Sequence, residues 1–229
     1  MKTKILFAGV IMLALCLASC DKKIKTYKNY GVERGAITNA VFTINLNGDQ
    51  VCFAQGNLQL RGRKYRFAKN QQDVVEKNQR LVDKFTGKQI KNIKFRKGWR
   101  ILTIEEWKYL LSHHTHRWAI VCGVEGVLLF PIKWEEPNGV SSNQKEYRED
   151  DWKMMQMSGA VFLPVNYPGG IKNGSYWSST VNPWNECRDV FIFDKHVDRR
   201  GHVSVGHTFR NFPPQDQQVA IRLVRDIKR

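Results

Sequence analysis

The sequence predicts an α+β fold, with two short helices packed on antiparallel strands and hairpins. Three observations lead there. Apolar residues recur at helical spacing in only two places, around Trp107 and Trp152. Elsewhere they fall in short runs, several of which alternate with polar residues. Those runs are separated by turn signals such as Asn47-Gly48 and Gly123-Val124-Glu125-Gly126. With 229 residues, 42% of them hydrophobic and 11% aromatic, the chain has material for one substantial core and too much to remain disordered.

Along the chain, Phe42, Ile44 and Leu46 alternate with polar residues. Asn47-Gly48 reads as a two-residue hairpin turn, and Val51 and Phe53 resume the alternation on the return strand. Thr103 and Glu106 form a capping box, behind which Ile104, Trp107, Leu110 and Leu111 make one buried stripe. Trp118 to Cys122 and Val127 to Phe130 flank the second hairpin turn. An Asp150 or Asp151 cap opens a second helix through Trp152 and Met155 to Gly159, whose missing Cβ suits a left-handed C-terminus. From Ala160 the chain returns to strands: Ala160 to Leu163, Ser175 to Thr180, Asp189 to Phe193, Val203 to Val205 and Val219 to Val224. Trp99, Trp107, Trp152 and Trp177 are large apolar bodies that a core of this kind would bury, each indole N–H needing a partner. Ser178, Ser179 and Thr180 can satisfy backbone groups where strands turn. Arg222 and Arg225, on the last strand, are expected to form an ion pair or to bond loop carbonyls.

The N-terminus carries an address. Lys2 and Lys4 make a charged start, Ile5 to Leu15 an apolar run too short to span a bilayer, and Leu17-Ala18-Ser19 lead to Cys20. The run LASC resembles the lipobox of bacterial lipoprotein signals. That resemblance implies cleavage before Cys20, with acyl chains such as palmitate on its sulfur and new amine. Residues 1–19 are then the signal peptide, 20–35 the lipidated cysteine and a polar tether, and 36–229 a single domain with a basic insertion near 71–97. A flexible tether of that length reaches about 20 Å, which holds the domain close to the cell outer membrane, with either face of that membrane open.

The formal net charge is +16, and it is concentrated. From Arg61 to Arg100 fourteen Lys or Arg stand against Asp73, Glu76 and Asp83. Few hydrophobic residues lie between Gln71 and Gln89, so this reads as a polar insertion or a surface helix around Val74 to Phe85. Nucleic acid is the usual partner of such a stretch, and export argues against it. Lipopolysaccharide, anionic phospholipid and acidic glycans are the polyanions an exported chain would meet; a solvated loop without a ligand is the other reading. Of five cysteines, Cys16 leaves with the signal and Cys20 takes the lipid. Cys52, Cys122 and Cys187 then allow one internal disulfide at most, in any of the three pairings.

Catalytic constellations are missing: no phosphate loop, nucleophile elbow or HExxH occurs, and neither enzyme activity nor a cofactor is expected. His113-His114-Thr115-His116 is the one metal-like cluster, and neighbours so close in sequence point in different directions. Glu136-Pro137-Asn138 and Trp184-Asn185-Glu186 resemble the calcium and sugar motifs of C-type lectins. Their separation is too long and Glu186 stands where those motifs carry Asp, so no metal is expected there. The loop-rich half from Asn166 to Asp216 is dense in residues suited to recognition. Tyr167, Tyr176, Trp184, Asn185, His196, Arg199, His202 and Arg210 are its candidate ligand-binding residues, with Arg200, His207 and Phe212 beside them.

Four landmarks in order carry a resemblance: Gly98-Trp99-Arg100-Ile101-Leu102-Thr103-Ile104-Glu105-Glu106-Trp107, Gly159-Ala160-Val161-Phe162-Leu163-Pro164, Tyr176-Trp177-Ser178-Ser179-Thr180 and Ile221-Arg222-Leu223-Val224-Arg225. They are similar to a bacterial envelope family that includes the fibrobacter major paralogous domain and the C-terminal domain of Legionella collagen-like adhesins. The stretches Phe53 to Leu58 and Tyr65 to Ala68 are similar to the N-terminal part of gut-bacterial lipoproteins of that type. The resemblance implies a C-type-lectin-like fold of the formylglycine-generating-enzyme (sulfatase-modifying-factor) branch, with neighbouring termini and the C-terminal half as a binding face. It implies a non-enzymatic binding or adhesion module for a glycan or protein; the alternative is a structural or accessory envelope lipoprotein without a small ligand. Leu102 departs from the proline common in the first landmark, and the basic segment replaces a region usually richer in aromatics. No cysteine follows Cys187, so formylglycine-generating activity is not carried over.

Overall fold

In a computed structural model, residues 31–61, 64–74, 98–165, 173–181, 188–200, 202–210 and 219–227 are described. The strands are β1 (Val32–Glu33), β2 (Ala36–Thr43), β3 (Gln50–Ala54), β4 (Leu58–Arg61), β5 (Lys64–Phe67), β6 (Trp99–Ile101), β7 (His116–Val121), β8 (Val124–Leu129), β9 (Glu146–Tyr147), β10 (Val161–Pro164), β11 (Asn173–Val181), β12 (Arg188–Val197), β13 (Val203–Arg210) and β14 (Leu223–Asp226). Helix α1 (Ile104–His113) lies between β6 and β7, and α2 (Glu149–Met157) between β9 and β10. The fold is α+β and rich in sheet. Among the described residues four sheets form, in the orders β1-β2-β3-β14-β6, β10-β8-β7-β9, β11-β12-β13 and β4-β5.

The first sheet joins the start of the domain to its end. β14 pairs antiparallel with β3, Val224 opposite Phe53, and with β6, Leu223 opposite Ile101. Residues 32–33, assigned by sequence to the tether, form β1 and pair with β2, Val32 opposite Ile37. Part of the segment expected to be a polar coil is therefore a strand. The basic insertion, the surface helix expected around 74–85 and the cysteines at 16, 20 and 187 lie outside the described residues, save for the first residues after Gln71.

α1 forms where its local signals place it. Thr103 Oγ1 accepts from the Glu106 N–H at 3.1 Å, and Glu106 Oε2 accepts from the Thr103 N–H at 2.7 Å. Thr180 adds a third tie, its Oγ1 accepting the otherwise orphaned Ile104 N–H at 2.9 Å. Ile104, Trp107, Leu110 and Leu111 are all buried. α2 starts two or three residues earlier than its expected cap: Arg148 is the N-cap and makes no side-chain bond, while Glu149, Asp150 and Asp151 occupy the first turn. Acids there favour the helix through its dipole rather than through a capping bond.

Two hairpin turns differ from expectation. After β2 the loop is Leu46-Asn47-Gly48, with Gly48 N–H donating to Asn45 C=O at 3.1 Å and Gly48 at φ +77°. The turn is thus centred on Leu46-Asn47 rather than on Asn47-Gly48, and it leaves Leu46 exposed while Phe42 and Ile44 are buried. Between β7 and β8 the turn is Cys122-Gly123, both with positive φ, so Val124 to Gly126 belong to the strand.

Continuous apolar runs mark strands covered on both faces. In β3, Val51 and Phe53 enter the central cluster around Trp107, and Cys52 and Ala54 a second cluster around Trp99 and Trp177. A third gathers Tyr147, Trp152, Met155 and Phe162. Trp99, Trp107, Trp152 and Trp177, the four tryptophans expected in the core, are all buried. Trp107 stacks on Phe191 at 5.1 Å, and the Trp107 and Trp177 indole N–H groups find no acceptor among the described residues.

Candidate functional site

β12 begins deep in the core and ends in solvent. Val190, Phe191, Ile192 and Phe193 are buried, filling the two main clusters on alternate faces. Beyond Phe193 the strand runs past the body, and with β13 it forms a hairpin whose far end is exposed. Asp198 organises the turn. Its Oδ1 accepts the N–H groups of Arg200 and His202, both at 2.8 Å, and its Oδ2 lies 3.1 Å from His202 Nδ1. A second Asp–His pair, Asp194 and His196 at 3.2 Å, lies across Gly206 on β13. A Cβ at Gly206 would stand 2.2 Å from His196 Nε2, so the glycine is what lets the imidazole fold over the strand.

On the opposite face, Lys195 reaches Glu125 on β8 at 3.4 Å and lies 5.8 Å from the Trp118 ring centroid. Phe209 carries Lys108 of α1 over its ring at 4.4 Å. The hairpin is thus fastened to the body through one face. The tip and the other face present His196, Arg199, Arg200 and His202, all exposed.

Of the eight candidate ligand-binding residues, the structure gathers His196, Arg199 and His202 at this tip. Arg210 is exposed but sits opposite Val190, six residues from Ser204, the partner of His196, or about 20 Å along the strand. Tyr176 requires correction. It is fully buried, its ring 5.7 Å from both Trp107 and Phe193 and its hydroxyl donating to Pro164 C=O at 2.9 Å. It is a core residue and presents nothing to a ligand. Tyr167, Trp184 and Asn185 lie outside the described residues.

The histidine cluster on α1 is dispersed. His113 stacks on Tyr109 at 3.9 Å, His114 is buried with Nε2 2.8 Å from Thr43 C=O, and His116 Nδ1 is 3.0 Å from His114 C=O. Burial pushes the His114 imidazole below its usual pKa. Glu136 accepts from the Ser142 N–H, and Arg117 donates to Ser142 C=O and, at 2.7 Å, to Asn143 Oδ1. The carboxylate of the Glu136-Pro137-Asn138 run thus organises its own loop. Among the described residues no group of three or more His, Cys, Asp or Glu is placed to hold a metal. Cys52 is buried and Cys122 exposed, both as free thiols.

Two other features were not read from the sequence. Arg222 is completely buried, held by Gln71 Oε1 at 2.9 Å and Asn57 Oδ1 at 3.5 Å, and burial lowers its pKa to about 10. Its partners are amides rather than the expected carboxylate or loop carbonyls. Beside α2 an open groove of about 570 Å³ is lined by Asn70, Cys122, Tyr147, Glu149, Trp152 and Lys153 among others. Burial, with Glu149 nearby, raises the Cys122 thiol pKa and keeps it a weak nucleophile.

No helix among the described residues is long and apolar enough to cross a membrane. No protein-family model, curated protein or solved structure matches this chain.

Proposed function

We propose that the protein is a lipid-anchored cell-envelope binding module, non-enzymatic, with a C-type-lectin-like domain that reads an anionic ligand, an acidic glycan, at the β12–β13 tip. The observation that carries this reading is the tip itself. His196, Arg199, Arg200 and His202 stand in solvent on a hairpin fastened through its other face, so the backbone that carries them is held by structure outside the site. A fixed backbone lowers the ordering cost of binding through cationic and hydrogen-bonding side chains. The described part of this face offers arginine and histidine and no exposed Trp or Tyr, which favours charge recognition over stacking on a neutral sugar. The lipobox-like LASC supports the envelope address, where acidic glycans are to hand.

The test is an array of uronic-acid, sulfated and phosphorylated glycans beside neutral ones, read at low and high salt. Acidic members are expected to bind and to be released as salt rises. The double variant Arg199→Glu/Arg200→Glu should lose at least tenfold in affinity while melting like the parent. Retention of neutral glycans, indifferent to salt and to charge reversal, would overturn the reading. Binding to no member would favour an accessory structural role.

A further inference from the structure

Among the described residues β13 is the outer strand of its sheet. Its eight residues pair with β12 in unbroken register, from Val197↔Val203 to Val190↔Arg210. The turn sets the phase of the ladder, because the Asp198 N–H donates to His202 C=O at 3.0 Å. Bonded pairs alternate in an antiparallel ladder, so Ser204, Gly206, Thr208 and Arg210 bond to β12. The N–H and C=O groups of Val203, Val205, His207 and Phe209 therefore face away from it. No backbone group among the described residues takes them. Proline, lysine and bulges, the devices that usually blunt a free edge, are absent from 203–210.

We propose that this edge pairs with the same edge of a second copy of the chain, antiparallel about Gly206, to form a weak dimer with one continuous six-stranded sheet. The argument for a second copy is the self-complementarity of the strand. Centred on Gly206, the pairing sets Val203 opposite Phe209 and Val205 opposite His207, and these residues carry the free backbone groups. Val203 and Phe209 are 45% and 48% exposed in the single chain, and each gains an apolar neighbour across the new ladder. Ser204 faces Thr208, two small hydroxyl residues. Gly206 meets its own copy at a non-hydrogen-bonded position, where facing side chains approach most closely, and it has none to clash. His202 meets Arg210 at the two ends. The net charge of +16 opposes association and is screened by salt. A single strand edge falls at the low end of interface sizes, below about 1,200 Å², so the dimer is transient. The inference rests on the β13 ladder alone and is independent of the anionic-ligand reading.

Sedimentation velocity on the full chain, over rising protein concentration at 0.1 and 0.5 M salt, tests it. A concentration-dependent dimer that strengthens with salt is expected. Val203→Pro/His207→Pro removes outward N–H groups and no bond to β12, so it should abolish the dimer and preserve the far-UV spectrum. Should that variant unfold, the register is tested by Ser204→Cys/Thr208→Cys in a Cys122→Ser background. These positions face each other across the dyad, while within one chain they are about 13 Å apart, beyond disulfide reach. Oxidation should give a reducible covalent dimer that requires both cysteines. A monomer at every concentration and salt, or a dimer that survives the prolines and does not cross-link, overturns the proposal.

Discussion

Val190–Phe193 and Asp194–Val197 are consecutive halves of one strand in opposite surroundings. In the first, side chains on both faces are buried, Phe191 and Phe193 against Trp107 and Tyr176, Val190 and Ile192 in the cluster with Trp177. In the second no side chain is buried, and what holds the strand is its ladder to β13, the Asp198 turn and the Lys195 tie to the body. Packing decides the residues of the inner half. The outer half is left free for contact with something else.

The comparison can be broken by its energetics. Trp177→Ala, which empties the cluster under the inner half, should cost about 3–5 kcal/mol, whereas Val197→Ala, at 59% exposure, should stay within about 0.5 kcal/mol of the parent. Thermal melts of the two variants decide; equal losses would make the hairpin part of the core. A smaller effect sharpens how the inner region is tied together. Gln71→Leu strands the Arg222 guanidinium without its nearest acceptor, at about 1–3 kcal/mol, toward the upper end because the donor is charged. Gln71→Leu/Arg222→Met should recover part of that loss in urea unfolding, because removing both partners is gentler than removing one. No recovery would mean that Gln71 matters for Ala160 and Phe162, which it also bonds.

The smallest effect is in pH. His114 titrates lower in the fold than its usual 6.5, so the fold favours the neutral ring. Above pH 6.5 neither state holds the proton and this contribution is complete. As pH falls below 6.5 the unfolded chain takes up a proton first, and stability declines until the folded-state pKa is passed. His114→Gln keeps an N–H donor near the Nε2 position for Thr43 C=O and should flatten that decline in unfolding curves taken between pH 7 and 5. An unchanged slope would assign it to other groups.

What could be read in the sequence was local. The Thr103–Glu106 box and its stripe fix α1 within ten residues of chain, and exposed arginines and histidines between Lys195 and His202 advertise a surface because burying them is costly. Tyr176 was misplaced because an aromatic in a strand looks alike on either face, and its face is set by pairing with Phe191 and packing on Trp107, both distant in the chain. Arg222 finds Gln71 across 151 positions, a partnership no spacing rule encodes. The short strands β4, β5 and β9 have too few residues to show a period. A glycine marks a turn without giving its place in it: Gly48 follows the turn residues Leu46 and Asn47, and Gly123 is the second residue of its turn rather than the first.

The strand order β1-β2-β3-β14-β6 also governs when the protein can fold. β3 and β6 are joined only through β14, so until residues 223–226 arrive the main sheet is in two pieces and the inner edge of β3 is bare. Pairing across that separation in sequence is slow to nucleate. A growing chain therefore passes most of its length with its largest sheet unassembled, carrying an open edge of the kind that invites aggregation. Closure comes as a late event, triggered by the arrival of Leu223, Val224 and Arg225 between strands made long before.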